Sequence, residues 1–446
     1  MNNVFFVGIG GAGMSKLALL YKSLGYNVSG SDIRLSEYTE LLSRKGIEVF
    51  IGHSDSHIDN RTDLVVYSSA IREENPEIVK ARRLGIQTVK RGKALASVVN
   101  NFKNVIISGT HGKTTTASLV GHILKEHGIR TNVYVGGNDS EFDNFYEKPE
   151  YFVVESDESD GSFLYLKPDN LIITNIDRDH LNHYGGSFSK LKNAFSDLLK
   201  KSNKAVICGE DKNAREIANK YKDRVLFYGS DGFKAENVKY LPNGTEFYVN
   251  EKNKTLRVFS PLFGYKNVLN VLGALLIAKV IGIPLKRSAE CVESFVPPHR
   301  RMEIKKDDEF TLIDDHADHP TEIEATLSAV KKHFPGRRLI AVYQPHRFSR
   351  IALLGDKVAD PFELSDIVVV TEIFSAFEEP IDGINGKNIA RIIENRYPEK
   401  EVHFAKDNSD AVRYVNRLLK KGDIVVLLGP GDIGEISGLI GLKGDV

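Results

Sequence analysis

Cysteine is nearly missing from this sequence: Cys208 and Cys291 are the two in 446 residues. Two thiols cannot frame a chain of this length, and they stand at no metal-ligand spacing. That excludes a disulfide scaffold and a cysteine metal cluster, and it points to a reducing compartment, the cytoplasm. An excess of charge is missing too. Lysine plus arginine and aspartate plus glutamate both number 60, so overall charge gives no reason to expect a nucleic-acid partner, although local basic patches stay open. No apolar run reaches the roughly 18 residues a membrane span requires, so no membrane insertion is expected. The start, MNNVFFVGIGGAGM, lacks a basic segment and its apolar run is broken by glycines, unlike a secretory signal. What remains is an ordinary globular balance, 41% hydrophobic and 27% charged, in a chain long enough for about two to four domains.

Alternating strand-like and helix-like segments fill residues 1–100. Asn3–Ile9, Tyr26–Ser29 and Leu64–Ser68 read as strands and Gly13–Leu24 as a helix, which predicts a parallel Rossmann-like α/β unit. A second unit, residues 101–297, opens with the strand Asn104–Ser108 and a helix over Thr114–His127. Strands follow at Tyr151–Glu155, Leu171–Asn175 and Lys204–Cys208. Within it, Phe233–Ser260 alternates polar and apolar residues around Asn243–Gly244 and predicts antiparallel hairpins; the apolar helix Asn267–Ile281 closes it. Pro297–Pro298 marks the boundary to a third α/β unit, residues 298–446, with strands at Thr311–Asp314, Arg338–Tyr343, Ile367–Thr371, Val402–Ala405 and Asp423–Leu428.

Two glycine-rich turns sit between a strand and a helix. In Gly8-Ile9-Gly10-Gly11-Ala12-Gly13 the glycines let backbone approach a diphosphate at a helix N-terminus, and Asp32, ending the next strand, can accept a ribose hydroxyl. In Gly109-Thr110-His111-Gly112-Lys113-Thr114-Thr115, backbone N–H groups can wrap phosphates, Lys113 can reach the β and γ phosphates, and Thr114 can bind Mg²⁺. Ile107 stands where the usual P-loop has its first glycine, so this is a shortened form. The run Glu155-Ser156-Asp157-Glu158-Ser159-Asp160 offers carboxylates at a strand end near that loop, suited to Mg²⁺ or simply a solvated acidic loop. His180 follows another strand end, in Thr174–Leu181. In the last unit, Asp314–Pro320 and Gln344-Pro345-His346-Arg347-Phe348-Ser349-Arg350 both follow strands, and the histidine and two arginines of the second could hold a carboxylate.

Taken in this order, GIGGAGMS, Ser68-Ser69-Ala70-Ile71, Asn75-Pro76-Glu77, GTHGKTTT, the ESDESD run, TNIDRDHLNHYGG, QPHRFSR, TEIFSAFEEPIDGINGK and GPGDI resemble the Mur ligase family over nearly the whole chain. The resemblance implies three domains, holding in turn a UDP-sugar, ATP and an amino acid. It implies a cytoplasmic, ATP-dependent reaction in which the carboxylate of UDP-N-acetylmuramate is phosphorylated and the amine of L-alanine then displaces phosphate. A family alternative attaches a whole tripeptide to the same sugar; QPHRFSR argues against it. A nicotinamide-dependent dehydrogenase leaves GTHGKTTT unexplained, and a non-catalytic nucleotide-binding regulator is a third possibility. By the resemblance, Thr114, Glu155 and His180 are Mg²⁺ ligands, and Lys113, Glu155 and His180 are the catalytic set. Gly109–Thr115 with Asn267 and Asn270 hold ATP, and Gly8, Gly10, Gly11, Gly13, Asp32 and Ser69 hold the UDP-sugar. His346, Arg347, Arg350 and Asp318 hold the amino acid, and Arg301 lies near the interdomain linker. Three positions depart from the family pattern: Lys266 where it has histidine, His316 where it has tyrosine, and Asp318 where it has the first of two histidines.

Overall fold

Parallel strands buried on both faces carry continuous apolar runs, and the computed structural model places such runs at the centre of each large sheet. It describes residues 3–136, 144–179, 181–230, 232–251, 254–376 and 378–441. The first sheet has five parallel strands, in spatial order Glu48–Ile51, Asn27–Asp32, Asn3–Val7, Leu64–Tyr67 and Gln87–Lys90. The second has six parallel strands in the order Val225–Tyr228, Lys204–Cys208, Asn170–Ile173, Asn104–Ser108, Tyr151–Glu155 and Thr131–Tyr134. All five residues of Asn104–Ser108 are buried. Their registers bring Ile107 beside Glu155 and Ser108 beside Ile173, so the phosphate loop, the acidic run and the Thr174–Asp177 turn all leave the sheet at one edge. That edge, at the carboxyl ends of the strands, is where open α/β sheets bind ligands.

The last sheet orders Glu303–Asp307, Thr311–Asp315, Ile424–Leu428, Leu339–Tyr343, Ile367–Val370 and Glu401–Phe404; only the first pairs antiparallel. A three-stranded antiparallel sheet, Ala235–Leu241, Gly244–Glu251 and Lys254–Ser260, meets the hairpin expectation. Its first connection is Pro242–Asn243, one residue earlier than the Asn243–Gly244 turn expected. Gly244 belongs to the strand, where a Cβ would fall 2.2 Å from the Ser260 carbonyl oxygen.

Two compact units result. One comprises residues 1–235, 249–256 and 269–295, and the other 236–248, 257–268 and 296–446. In the first, one core joins Phe6, Leu17 and Leu95 to Ile106, Phe163 and Phe195, and another lies around Phe5, Val7 and Val65. In the second, cores lie on the two faces of the six-stranded sheet, around Tyr343 and Phe362 and around Val342 and Val425. Helix starts are fixed by side-chain caps: Asp211, Asn385 and Asp407 each accept a backbone N–H from the first turn. No described helix is long and apolar enough to cross a membrane.

Candidate active site

The first glycine loop runs from Asn3–Val7 into the helix Ala12–Ser23, whose N-cap, Gly11, has no capping side chain. Backbone N–H groups and the helix dipole are thereby left to an anion. Asp32 Oδ2 accepts the Gly10 N–H at 2.8 Å and Oδ1 accepts that of Ile33 at 2.8 Å. The carboxylate expected to meet a ribose therefore also grips the loop. Ser68, rather than the exposed Ser69, lies against Gly8. Beneath the loop the fully buried Glu77 accepts Ser31 Oγ at 2.8 Å and lies 2.9 Å from His53 Nδ1 and 2.8 Å from His57 Nδ1. Asn75 and Pro76 start the helix that carries it, Asn75 Oδ1 accepting the Glu77 N–H. The Asn-Pro-Glu motif thus props the strand ending at Asp32, a role that only the tertiary structure reveals.

The second loop is stitched to the Thr174–Asp177 turn. Thr110 N–H donates to the Asn175 carbonyl (3.1 Å) and His111 N–H to Asn175 Oδ1 (2.8 Å), while Asp177 N–H donates back to Thr110 Oγ1 (2.9 Å). His111 Nε2 lies 3.2 Å from Asp177 Oδ2. Gly112 caps the helix Lys113–Glu126 at φ +79°, in the left-handed region; a Cβ there would fall 2.6 Å from Asn270 Oδ1. The left-handed backbone favours glycine there, and Asn270, one of the asparagines expected to hold ATP, is brought against the loop. Asn267 instead donates its amide to the Phe263 carbonyl (2.9 Å).

Lys113 Nζ donates to the carbonyls of Gly109 (2.7 Å) and Thr110 (3.0 Å) and to Glu158 Oε2 (3.0 Å). Burial opposes its charge, but Glu158, Asp157 and Glu155 outweigh burial and raise the ammonium above its usual range. Burial lifts the Glu158 carboxyl to about 7 even so. Thr114 Oγ1 donates to Glu155 Oε1 (2.9 Å), and Gly136 N–H donates to Glu155 Oε2 (2.8 Å). Thr115 is buried in the same turn. His180 lies outside the described residues.

In the second unit, Asp318, His346 and Arg350 come together. Asp318 Oδ2 contacts Arg350 Nη1, and His346 Nδ1 lies 3.2 Å from the same oxygen. His346 makes no hydrogen bond there, because distance alone is satisfied and alignment is not. Its ring stacks on Phe374 at 5.8 Å. Arg347 has φ +69°, a costly conformation for a side-chain-bearing residue, and its N–H donates to the Phe374 carbonyl at 3.0 Å. Ser349 is held by both oxygens of Glu378. Phe374 and Glu378 thus clamp the basic loop. His319, the retained second histidine of the family pattern, caps the helix Pro320–His333. Arg300, not singled out from sequence, ties Asp314 to the Gly429 and Gly431 carbonyls. The buried Tyr343 hydroxyl near Asp318 has no hydrogen-bond partner among the described residues.

Burial, with Arg301, Arg300 and His346 adding to it, lowers His316 to about 3, so the imidazole is neutral in the folded chain at neutral pH. An unfolded histidine takes up its proton near pH 6.5. The unfolded state therefore binds more protons between about 6.5 and 3, and stability falls as pH drops through that window. His316→Gln is expected to flatten the decline in melting temperature between about pH 6.5 and 5; an unchanged slope would overturn this assignment.

Comparisons with known proteins place the chain in a family. The Mur ligase family catalytic-domain model matches residues 3–103, the Mur ligase middle-domain model 107–278, and the Mur ligase glutamate ligase domain model 300–431. The UDP-N-acetylmuramate–L-alanine ligase of Dictyoglomus turgidum is 37% identical over 445 residues, covering 97% of this chain and 95% of its own. That of Persephonella marina is 37% identical over 453 residues, covering 98% and 96%. The crystal structure of the UDP-N-acetylmuramate–alanine ligase of Thermotoga maritima, 30% identical, superposes with a TM-score of 0.83 over 98% of both chains. A murein peptide ligase from Psychrobacter arcticus, 23% identical, shares the fold with a TM-score of 0.67 over 100% of both. With three family domains in order and near-full-length relatives above 30% identity, the chain belongs to the Mur ligase family.

Proposed function

We propose that the chain joins L-alanine to UDP-N-acetylmuramate in the cytoplasm, converting ATP to ADP and phosphate. The observation that carries this reading is near-full-length likeness to L-alanine ligases. Residues 1–100 hold the UDP-sugar, 101–297 ATP and 298–446 the amino acid. A carboxylate resists amines until one of its oxygens becomes a leaving group. The muramate carboxylate oxygen therefore attacks the γ-phosphorus and ADP departs; the alanine amine attacks the acyl carbon, loses a proton and expels phosphate. Positioning and charge neutralisation dominate such transfers. Lys113 supplies positive charge and the loop N–H groups orient the phosphates. Thr114 and Glu155, with His180, would hold Mg²⁺. The donor set suits that ion, being oxygen-rich with the buried Glu158 Oε1 unpaired among the described residues; when bound, the ion adds charge at the phosphates. Both cysteines are free, in keeping with the cytoplasm.

Phosphate release from ATP, measured across a panel of amino acids and the tripeptide, tests the reading. Release is expected to require both UDP-N-acetylmuramate and L-alanine. A preference for the tripeptide would replace it with the recycling activity, and release without either substrate would exclude it.

A further inference from the structure

Arg91 belongs to none of the motifs, yet it stands between the two glycine loops. It is the first residue of the helix Arg91–Val99, directly after the edge strand Gln87–Lys90. Its guanidinium lies on Gly13, the last glycine of the first loop: a Cβ there would fall 2.6 Å from Nη1. A side chain at position 13 would push the guanidinium aside. The Arg91 guanidinium also lies beside the buried side chain of Tyr134, whose hydroxyl donates to the Gly13 carbonyl at 2.6 Å. On its other side Nη2 is 3.9 Å from Asp160 Oδ2, and Asp157 adds attraction. The following residue, Gly92, packs against Ser162, whose N–H is held by Asp160 Oδ1 at 2.9 Å.

Tyr134 ends the edge strand Thr131–Tyr134. Two residues on, the Gly136 N–H binds Glu155 Oε2, and Glu155 Oε1 accepts the Thr114 hydroxyl. A short polar path therefore runs from Gly13 through Tyr134 to Glu155 and Thr114, with Arg91 bracing it against the acidic run. All of these residues lie in the first unit.

We propose that Arg91 and Tyr134 are positioning residues for the ligation, setting the sugar-phosphate loop in register with the metal-side and phosphate-side groups of the second loop. This rests on the function proposed above. Neither side chain is assigned contact with a substrate. They act by fixing where the occupant of one loop stands relative to the occupant of the other. Small misplacements are costly in such a reaction: about 1 Å can cost about 100-fold in rate.

Steady-state kinetics of Tyr134→Phe, Arg91→Ala and Arg91→Lys, with calorimetric affinity for UDP-N-acetylmuramate alone and melting curves, provide the test. Tyr134→Phe and Arg91→Ala are expected to lower kcat by about 10- to 100-fold. The affinity for the UDP-sugar alone is expected to move by less than about threefold, since that loop keeps its own anion-binding N–H groups. Arg91→Lys should recover only part of the loss, because a single ammonium does not reproduce the guanidinium fork. Lower melting temperatures with unchanged kcat would make the pair mere packing and overturn the proposal. A fall in UDP-sugar affinity matching the fall in kcat/KM, with kcat unchanged, would make Arg91 a direct ligand and overturn it as well. No turnover by the parent protein would instead remove the underlying function.

Discussion

Lys113→Ala is expected to fold and to form no measurable ligation product, a loss of at least about 1,000-fold, in the range seen when a charge that stabilises phosphoryl transfer is removed. The ammonium is the first residue of its helix and is gripped by two loop carbonyls and Glu158. It is thereby aimed along the loop rather than into an apolar core, so its removal deletes charge more than packing. Removing one partner of a buried ion pair usually costs about 3–5 kcal/mol. Here part of that cost can be escaped. Burial already lifts Glu158 to about 7 with the lysine present, and without it the carboxyl moves higher and is held neutral. The folded variant then carries a proton that an unfolded glutamate releases near 4.3. Folding binds that proton, so the variant loses stability as pH rises from about 4.3 toward the folded value. Melting curves between about pH 6 and 8 should fall more steeply for Lys113→Ala than for the parent. Product formation within tenfold of the parent by a folded variant would remove Lys113 from the mechanism.

Legibility of the fold followed the apolar run more than burial. Asn104–Ser108 and Ile424–Leu428 are buried at every residue and were readable as strands from their apolar runs. Glu48–Ile51, Gln87–Lys90, Thr131–Tyr134 and Glu303–Asp307 lie at sheet edges and were not read, being short or rich in polar residues. The site divides in the same way. Loop chemistry contained in a few consecutive residues was visible. Its cross-links were not, because they join distant positions: Asp32 to Gly10 spans 22 residues, Glu158 to Lys113 spans 45, and Tyr134 to Gly13 spans 121. Nothing local in Arg91-Gly92-Lys93 distinguishes a loop-bracing guanidinium from a solvated one, which is the usual state of a basic residue at a helix start.

Asp318→Asn is expected to raise the KM for L-alanine by about 10- to 100-fold, the worth of one charge-assisted hydrogen bond, while the KM values for ATP and UDP-N-acetylmuramate move by less than about threefold. The argument begins from the pairing of Asp318 with Arg350 beside His346, all three side chains being largely buried. An α-amino acid is a zwitterion, and a guanidinium beside a carboxylate is its electrostatic complement: in the proposed reading Arg350 takes the incoming carboxylate and Asp318 the ammonium. Where the family pattern has histidine, a neutral imidazole could instead accept the amine's proton. A carboxylate is in general a weaker base than imidazole near neutral pH, so the role proposed for Asp318 is to orient the amine rather than to deprotonate it. Asp318→His should accordingly move the pH–rate profile and change the relative rates with alanine, serine and glycine. Asp318→Asn leaves Arg350 short of one partner, so melting curves must show that the variant is folded at the assay temperature. If a folded Asp318→Asn keeps the parent's KM for alanine, and Asp318→His keeps its rate ratios and pH profile, Asp318 serves only to hold Arg350 in place and the zwitterion reading fails.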